Sequence, residues 1–191
     1  SHRRFPWFLE LWRIRPNLEG VRSFHWAELF FRDKLGEDVV ESLADDVERY
    51  LQTAIRPRSV FDLIGPAMVG PSSSHTAGAN RIGRIARFIL ESLIKKEKFD
   101  GDFELSVNLL GSFRDTGLGH RTPAAVGGGL RGYAADDPKG LESGRPQAMK
   151  GSPLLLAGKK VNFRGYLWGK EEDAQQYRKD RNANIVEISV S

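Results

Sequence analysis

The sequence predicts an α+β fold in which a small mixed sheet packs against helices. Apolar residues recur at spacings of three and four between Ile82 and Leu93, which is the pattern of an amphipathic helix. Between Phe103 and Leu109, apolar and polar residues alternate, which indicates a half-buried strand. The predicted elements follow one another without a regular strand–helix–strand rhythm, so α+β is favoured over a doubly wound parallel sheet.

Residues 1–56 are predicted to form an N-terminal extension to this fold. Residues 1–25 contain aromatic and arginine residues without a clean period, which favours an extended aromatic arm. From Ala27 to Ala54, apolar residues fall on one helical face. Arg56-Pro57-Arg58 ends that helix, because a residue before proline disfavours the α conformation. The main domain is therefore predicted to span 57–191.

The remaining segments are predicted from alternation and from their content of turn-forming residues. In order they are a strand or helical turn at 59–64, a loop at 65–78, a loop that becomes a small-residue helix at 113–130, mostly loop at 131–158, a short strand at 161–163, a helical turn at 171–178 and a strand at 186–190.

The bulk composition argues against several classes of function. Lysine and arginine total 29 against 25 acidic residues, and the net charge is +4 without a long basic run, so nucleic-acid binding is not expected. No apolar run approaches the roughly 20 residues that span a bilayer, and the N-terminus lacks a signal-peptide pattern, so no membrane association and a cytoplasmic location are expected. The 191 residues include no cysteine, so they cannot ligate an iron–sulfur cluster through thiolates.

The segment from Gly70 to Gly78 is the main candidate for chemistry. It holds one histidine, which titrates near neutral pH, and four hydroxyl side chains: His75, then Ser72, Ser73, Ser74 and Thr76. The following helix should direct unpaired backbone N–H groups into the same space, which suits a carboxylate or phosphate. An ordinary N-cap is the alternative, although a cap needs only one hydroxyl. A nucleotide P-loop is excluded, because no Gly-Lys-Ser/Thr follows at the required spacing.

The run from Ser59 to Gly78, Ser-Val-Phe-Asp-Leu-Ile-Gly-Pro-Ala-Met-Val-Gly-Pro-Ser-Ser-Ser-His-Thr-Ala-Gly, resembles the opening of a known family. That family is the β chain, or N-terminal β-type domain, of the iron–sulfur-dependent L-serine dehydratases. Leu110–Phe113 and Gly119–Ala124 are similar to its Gly-Ser-Phe and Gly-His-Gly-Thr-Asp segments. The resemblance is close over 59–133, loose over 160–191 and does not cover 1–56. It implies a fold similar to the allosteric substrate-binding domain of some phosphoglycerate dehydrogenases.

The resemblance implies a β-type subunit of an enzyme that converts L-serine to pyruvate and ammonia, a reaction of amino-acid degradation and gluconeogenesis. In such enzymes a [4Fe–4S] cluster is held by cysteines of the α chain or domain, and one iron acts as a Lewis acid on the substrate hydroxyl. The expected partners are therefore a cluster-bearing α chain and a small amino-acid substrate, in a homo- or hetero-oligomer. This chain alone is expected to be inactive and to bind no cluster.

The resemblance also implies roles for individual residues. The catalytic candidates are His75 and His120, and the substrate-binding candidates are Ser72, Ser73, Ser74, Thr76, Gly119, Thr122 and Asn184. The two histidines are expected to lie on one face, partly exposed and roughly a substrate's length apart. The alternative for His120 is a structural histidine hydrogen-bonded near a glycine turn.

Four positions depart from the family pattern. Arg121 and Pro123 stand where the family has Gly and Asp, and Asn182 and Ala183 stand where it has His and Pro. A carboxylate and an imidazole are therefore missing. The alternative function is therefore a non-catalytic or regulatory module that binds small carboxylates. A structural or interaction protein that uses the arm at 1–25 as its contact surface is the third alternative.

Overall fold

The computed structural model describes residues 5–12, 26–31, 43, 46, 47, 49, 50, 67–96, 103–169 and 184–190. For residues 5–12, 26–31, 184 and 185 it describes the backbone alone. The strands are β1 (Phe5–Trp12), β2 (Trp26–Phe31), β3 (Glu104–Gly111), β4 (Leu154–Leu156), β5 (Lys159–Trp168) and β6 (Asn184–Val190). The helices are α1 (Ala79–Lys95), α2 (Ser112–Thr116), α3 (Thr122–Leu130), α4 (Pro138–Ser143) and α5 (Pro146–Gly151), and a π-helical turn at Ser73–Gly78 precedes α1.

The six strands form one mixed sheet in the order β2-β1-β6-β3-β5-β4. Strands β3 and β5 are parallel, and the other neighbours are antiparallel. A parallel pair needs a crossover connection, which here is the run of helices from α2 to α5. The combination of helices with a mixed sheet confirms the predicted α+β class.

Helix α1 and strand β3 confirm the two clearest sequence patterns. The apolar stripe of α1 is buried and joins one core with the buried side chains of β3, α3 and β6. This core includes Ile82, Ile85, Ile89, Leu93, Leu105, Val107, Leu109, Val126, Leu130, Val186, Ile188 and Val190. Along β3 these apolar residues alternate with more exposed polar ones, as expected for a strand that presents one face to the helices.

Helices α1 and α3 approach each other closely at Gly83. A Cβ atom at that position would lie 2.2 Å from the Val126 carbonyl oxygen, so any larger residue would push the two helices apart. Because the π-helical turn leads into α1 and the 117–121 turn leads into α3, this contact also fixes how those two turns lie relative to each other.

The structure differs from the predicted elements in five places. Two lie in predicted loops: residues 73–78 form the π-helical turn and residues 112–116 form α2. Residues 26–31 form strand β2 rather than the start of a helix, although Leu43 and Val47 are helical and buried as the periodicity indicates. Residues 5–12 within the predicted arm form β1, which pairs with β6. The 131–158 region contains α4, α5 and β4 rather than mostly loop. The segments at 59–64 and 171–178 lie outside the described residues, and the domain boundary at 56/57 stays a prediction.

These differences have physical causes. Aromatic residues suit a strand as well as a helical face, and pairing with β1 decides the conformation of 26–31. In the 131–158 region, Pro138 and Pro146 occupy first-turn positions of α4 and α5. Proline is favoured there because its missing N–H would have no helical partner in any case. The two prolines that favour a prediction of loop therefore mark the positions where two helices begin.

Candidate active site

The segment Ser73–Gly78 is a single π-helical turn that runs directly into α1. The Ser72 side chain caps it by accepting a hydrogen bond from the His75 backbone N–H at 3.1 Å. Ser72 therefore acts as the ordinary N-cap, while the Ser73 and Ser74 side chains are exposed. The expected position of this segment at a helix N-terminus is confirmed. Wider turns of this kind are frequent at functional sites.

Gly70 allows the chain to enter this turn. Its φ angle of 119° is one that other residues rarely adopt. A Cβ atom there would also lie 2.4 Å from Cγ2 of Thr76. Both constraints explain why the segment begins with glycine.

The His75 ring is held by three hydroxyl groups. Nδ1 lies 3.0 Å from Ser74 Oγ, and Nε2 lies 3.1 Å from Ser112 Oγ and 2.9 Å from Thr116 Oγ1. The Thr116 hydroxyl donates its single proton to the Ser112 carbonyl at 2.9 Å, so its oxygen accepts a proton from His75 Nε2. The neutral ring is therefore protonated at Nε2, and Nδ1 accepts from the Ser74 hydroxyl.

His120 lies beside His75, with ring centroids 4.9 Å apart. Both residues are partly exposed, as expected, but the rings are in contact rather than a substrate's length apart. His120 Nδ1 lies 3.0 Å from the Thr116 carbonyl oxygen, which can only accept. The neutral His120 ring is therefore protonated at Nδ1, and its Nε2 carries the lone pair.

Two buried threonines join the segments that carry the histidines. Thr76 Oγ1 donates to the His120 carbonyl at 2.9 Å, and Thr122 Oγ1 donates to the His75 carbonyl at 2.9 Å. The two threonine side chains are 2% and 0% exposed, so both hydroxyls need a protein partner. We call these two hydrogen bonds the threonine clamp. It holds the π-helical turn against the start of α3.

The environment of His75 favours its neutral form. Burial lowers the pKa of His75 below its ordinary value of 6.5, a hydrogen bond to the Ser112 backbone acts in the opposite direction, and positive charge on His120 lowers the pKa further. The Phe113 ring contributes to this burial, since its centroid lies 5.1 Å from that of His75 in an edge-to-face contact. Near neutral pH, His75 is therefore an uncharged hydrogen-bonding group.

The other predicted residues occupy different positions around this pair. Gly119 is exposed in the turn between α2 and α3. The backbone of Asn184 pairs with Gly111, the residue before Ser112, which places the start of β6 beside the site. Pro123 is buried in the first turn of α3 where the family has Asp, and Asn182 lies outside the described residues.

Ser112 and Thr116 contact His75 but were not predicted as site residues. In the sequence, Ser112 stands out only as part of the Gly-Ser-Phe match. The serine of that match could have identified Ser112 as a site residue, because a polar residue directly after a buried strand lies at the end of that strand, where the core stops. Thr116 carried no such signal, since its role depends on helix α2 turning its hydroxyl and its carbonyl toward two different histidines.

Among the residues that the structure describes, no group of three or more His, Cys, Asp or Glu side chains could hold a metal ion. The site offers hydroxyls and two imidazoles but no thiolate, so it does not fit an iron–sulfur cluster as its own ligand set. Within the same described ranges, no helix has the length and apolar content required to cross a bilayer.

Comparison with known proteins matches residues 59–177 to the family model for the serine dehydratase beta chain. The chain is 50% identical over 82 residues to the probable L-serine dehydratase, beta chain, of Bacillus subtilis, which covers 43% of this chain and 34% of that protein. It is 42% identical over 81 residues to the L-serine dehydratase, beta chain, of Peptoniphilus asaccharolyticus, which covers 42% of this chain and 33% of that protein. It is 38% identical over 80 residues to L-serine dehydratase 1 of Escherichia coli, which covers 42% of this chain and 16% of that protein.

The alignments thus span about one third of the length of the two beta-chain relatives. The matched region contains both histidines, the threonine clamp and the hydroxyls around His75. Since the family match extends over more than half of the sequence, the chain belongs to the serine dehydratase beta chain family.

Proposed function

We propose that this chain is the β-type subunit of an L-serine dehydratase, which converts L-serine to pyruvate and ammonia together with a cluster-bearing α chain. The observation that carries the proposal is the contact between His75 and His120, with ring centroids 4.9 Å apart beside an exposed serine-rich turn. The three relatives compared above are named L-serine dehydratase, and two of these three are named beta chains.

The Ser73 and Ser74 region is suited to hold the substrate carboxylate. Both side chains are exposed, and both residues lie in the first turn of a helix, where backbone N–H groups have no helical acceptor. Such N–H groups, together with the Ser73 hydroxyl, favour a bound anion. Ser72 contributes by capping the turn, because its oxygen accepts from the His75 N–H.

His120 is the better placed of the two histidines to accept the Cα proton. Its Nδ1–H donates to the Thr116 carbonyl, so the basic lone pair is on Nε2. His75, in contrast, uses both ring nitrogens in hydrogen bonds to hydroxyl groups. We therefore assign proton transfer to His120, and to His75 the orientation of the Ser74 hydroxyl and of the substrate.

The proposed reaction begins when His120 takes the Cα proton and the Cβ–O bond breaks, and the departing hydroxide takes up the proton from His120 to leave as water. The resulting enamine tautomerises to an imine, and water then hydrolyses this imine to pyruvate and ammonia. The cluster would be held by the α chain, where it supplies the Lewis acid for the departing hydroxyl. The absence of cysteine from these 191 residues supports that division of the site between two chains.

Thr76 and Thr122 are assigned a positioning role, because their buried hydroxyls already donate to the carbonyls of His120 and His75. Gly119 is proposed to keep the turn beside His120 open to the substrate. The backbone register places Asn184 next to the end of β3, which supports its assignment to the substrate side of the site. A cytoplasmic location and the wider oligomeric state stay predictions.

The test is anaerobic co-expression of this chain with a candidate α chain, followed by an assay of pyruvate formation from L-serine. The complex should be active and the isolated chain inactive. His120→Gln should lower kcat by roughly 10²-fold or more, the usual contribution of a positioned acid or base. The matched control is Lys160→Gln at the exposed start of β5, at the opposite end of the β3–β5 pair, which should leave kcat unchanged.

Two outcomes would contradict this assignment. A His120→Gln complex with kcat close to that of the unmodified complex would remove His120 from the chemistry. A complex that binds L-serine but forms no pyruvate would instead support the carboxylate-binding module as the function of this chain.

A further inference from the structure

Arg121 adopts a backbone conformation that costs free energy for any residue other than glycine. Its φ and ψ angles are 58° and 29°, in the left-handed region. This conformation is disfavoured for a residue with a Cβ atom, because the Cβ atom lies too close to a backbone carbonyl oxygen. Glycine, which the family pattern has at this position, would avoid that cost. The chain therefore retains an arginine at a position where the backbone favours glycine.

The threonine clamp fixes the position of Arg121 relative to the two histidines. The preceding residue, His120, accepts from Thr76 through its carbonyl, and the following residue, Thr122, donates to the His75 carbonyl. The Arg121 carbonyl also accepts from the Ala125 N–H at 3.0 Å. The backbone of Arg121 is thus held next to the histidine pair, while its side chain is exposed.

The positive charge of Arg121 is not used within the described part of the chain. No hydrogen bond or ion pair connects its guanidinium group to another described residue. Asp115 is the one acidic residue between Ser112 and Thr122, and it already forms an ion pair with Arg114 at 2.6 Å. The 112–122 segment therefore presents an available cation on the residue directly after His120.

We propose that Arg121 binds the carboxylate of the substrate at the entrance to the histidine pair and acts as a specificity-determining residue. A guanidinium group forms paired, charge-assisted hydrogen bonds to a carboxylate, which are stronger than those from neutral hydroxyls. The side chain thus adds charge to the neutral donors of Ser73 and Ser74. The proposal rests on the proposed function, because it takes the histidine pair as the place where the substrate binds.

The first test measures anion binding to the chain itself and needs no catalysis. Sodium acetate is titrated at constant ionic strength while the ring-proton NMR signals of His75 and His120 are followed, and neutral acetamide serves as the uncharged comparison. Acetate should bind roughly tenfold more weakly to Arg121→Gly, the loss of about one charge-assisted hydrogen bond. Arg121→Lys should give an intermediate affinity, and Lys160→Gln should match the unmodified chain.

The second test uses the active complex. Arg121→Gly should raise the KM for L-serine by roughly tenfold while kcat stays within about threefold, because a carboxylate contact contributes to ground-state and transition-state binding alike. Its melting temperature should equal or exceed that of the unmodified chain, since glycine relieves the backbone strain. This readout separates loss of binding from loss of folding.

Unchanged acetate affinity in Arg121→Gly, or equal binding of acetamide and acetate, would overturn the proposal. A lower melting temperature for that variant would assign Arg121 a structural role and would also overturn it. If no α chain yields pyruvate, the proposed function fails, but the acetate titration still decides whether Arg121 binds a carboxylate.

Discussion

The threonine clamp should be a measurable source of stability, and replacing Thr122 by valine tests it. The change keeps a β-branched side chain of similar volume but removes the hydroxyl that donates to the His75 carbonyl at 2.9 Å. A net hydrogen bond contributes about 0.5–1.5 kcal/mol, and a buried acceptor left without its partner adds to the loss. Because Thr122 is 0% exposed, water cannot replace the lost donor, and we expect the free energy of unfolding to fall by about 1–2 kcal/mol.

Thr76→Val should have a similar cost, because its hydroxyl donates at the same distance to the His120 carbonyl and the side chain is 2% exposed. The two hydrogen bonds join the same two segments, so the double variant should show a coupling energy of at least about 0.5 kcal/mol. Urea denaturation with an unchanged m-value measures these differences. Ser152→Ala, at an exposed position after α5, is the matched control and should stay within about 0.5 kcal/mol of the unmodified chain. Single-variant losses no larger than that of the control would refute the clamp.

Two further predictions concern helix packing and pH. Gly83→Ala should lower the free energy of unfolding by about 1–3 kcal/mol, because the added Cβ atom overpacks against α3. Gly151→Ala is the control and should show no such steric loss, since its added Cβ atom would have no neighbour within 4 Å. Equal losses of stability for the two variants in calorimetry would contradict the close contact. Because the folded pKa of His75 lies below 6.5, the unfolded chain binds more protons just below that pH. Stability should therefore fall as pH decreases through 6.5 toward the folded pKa, and this fall should be shallower in His75→Gln when urea denaturation is compared across that range.

Local patterns in the sequence were sufficient for the central helix and strand. Helix α1 was predicted because its apolar residues repeat with the helical period, and β3 because its side chains alternate. Strand β2 could not be recognised in this way, because its conformation depends on pairing with β1, which lies earlier in the chain. In the same way, α4 and α5 begin at prolines that local composition alone associates with loops.

For the site, the sequence by itself determined the candidate chemical groups and the family, since the run from Ser59 to Gly78 is specific enough to be recognised and Gly119–Ala124 adds a second match. The tertiary structure decided how these groups work together. Ser112 and Thr116 reach the His75 ring from 37 and 41 positions away in the chain, and the threonine clamp joins residues 44 and 47 positions apart. Hydrogen bonds over such separations depend on how α1, α3 and β3 pack, and this packing also sets which nitrogen of each histidine carries the proton. No local pattern encodes these contacts, because each requires two distant segments to be fixed against one core.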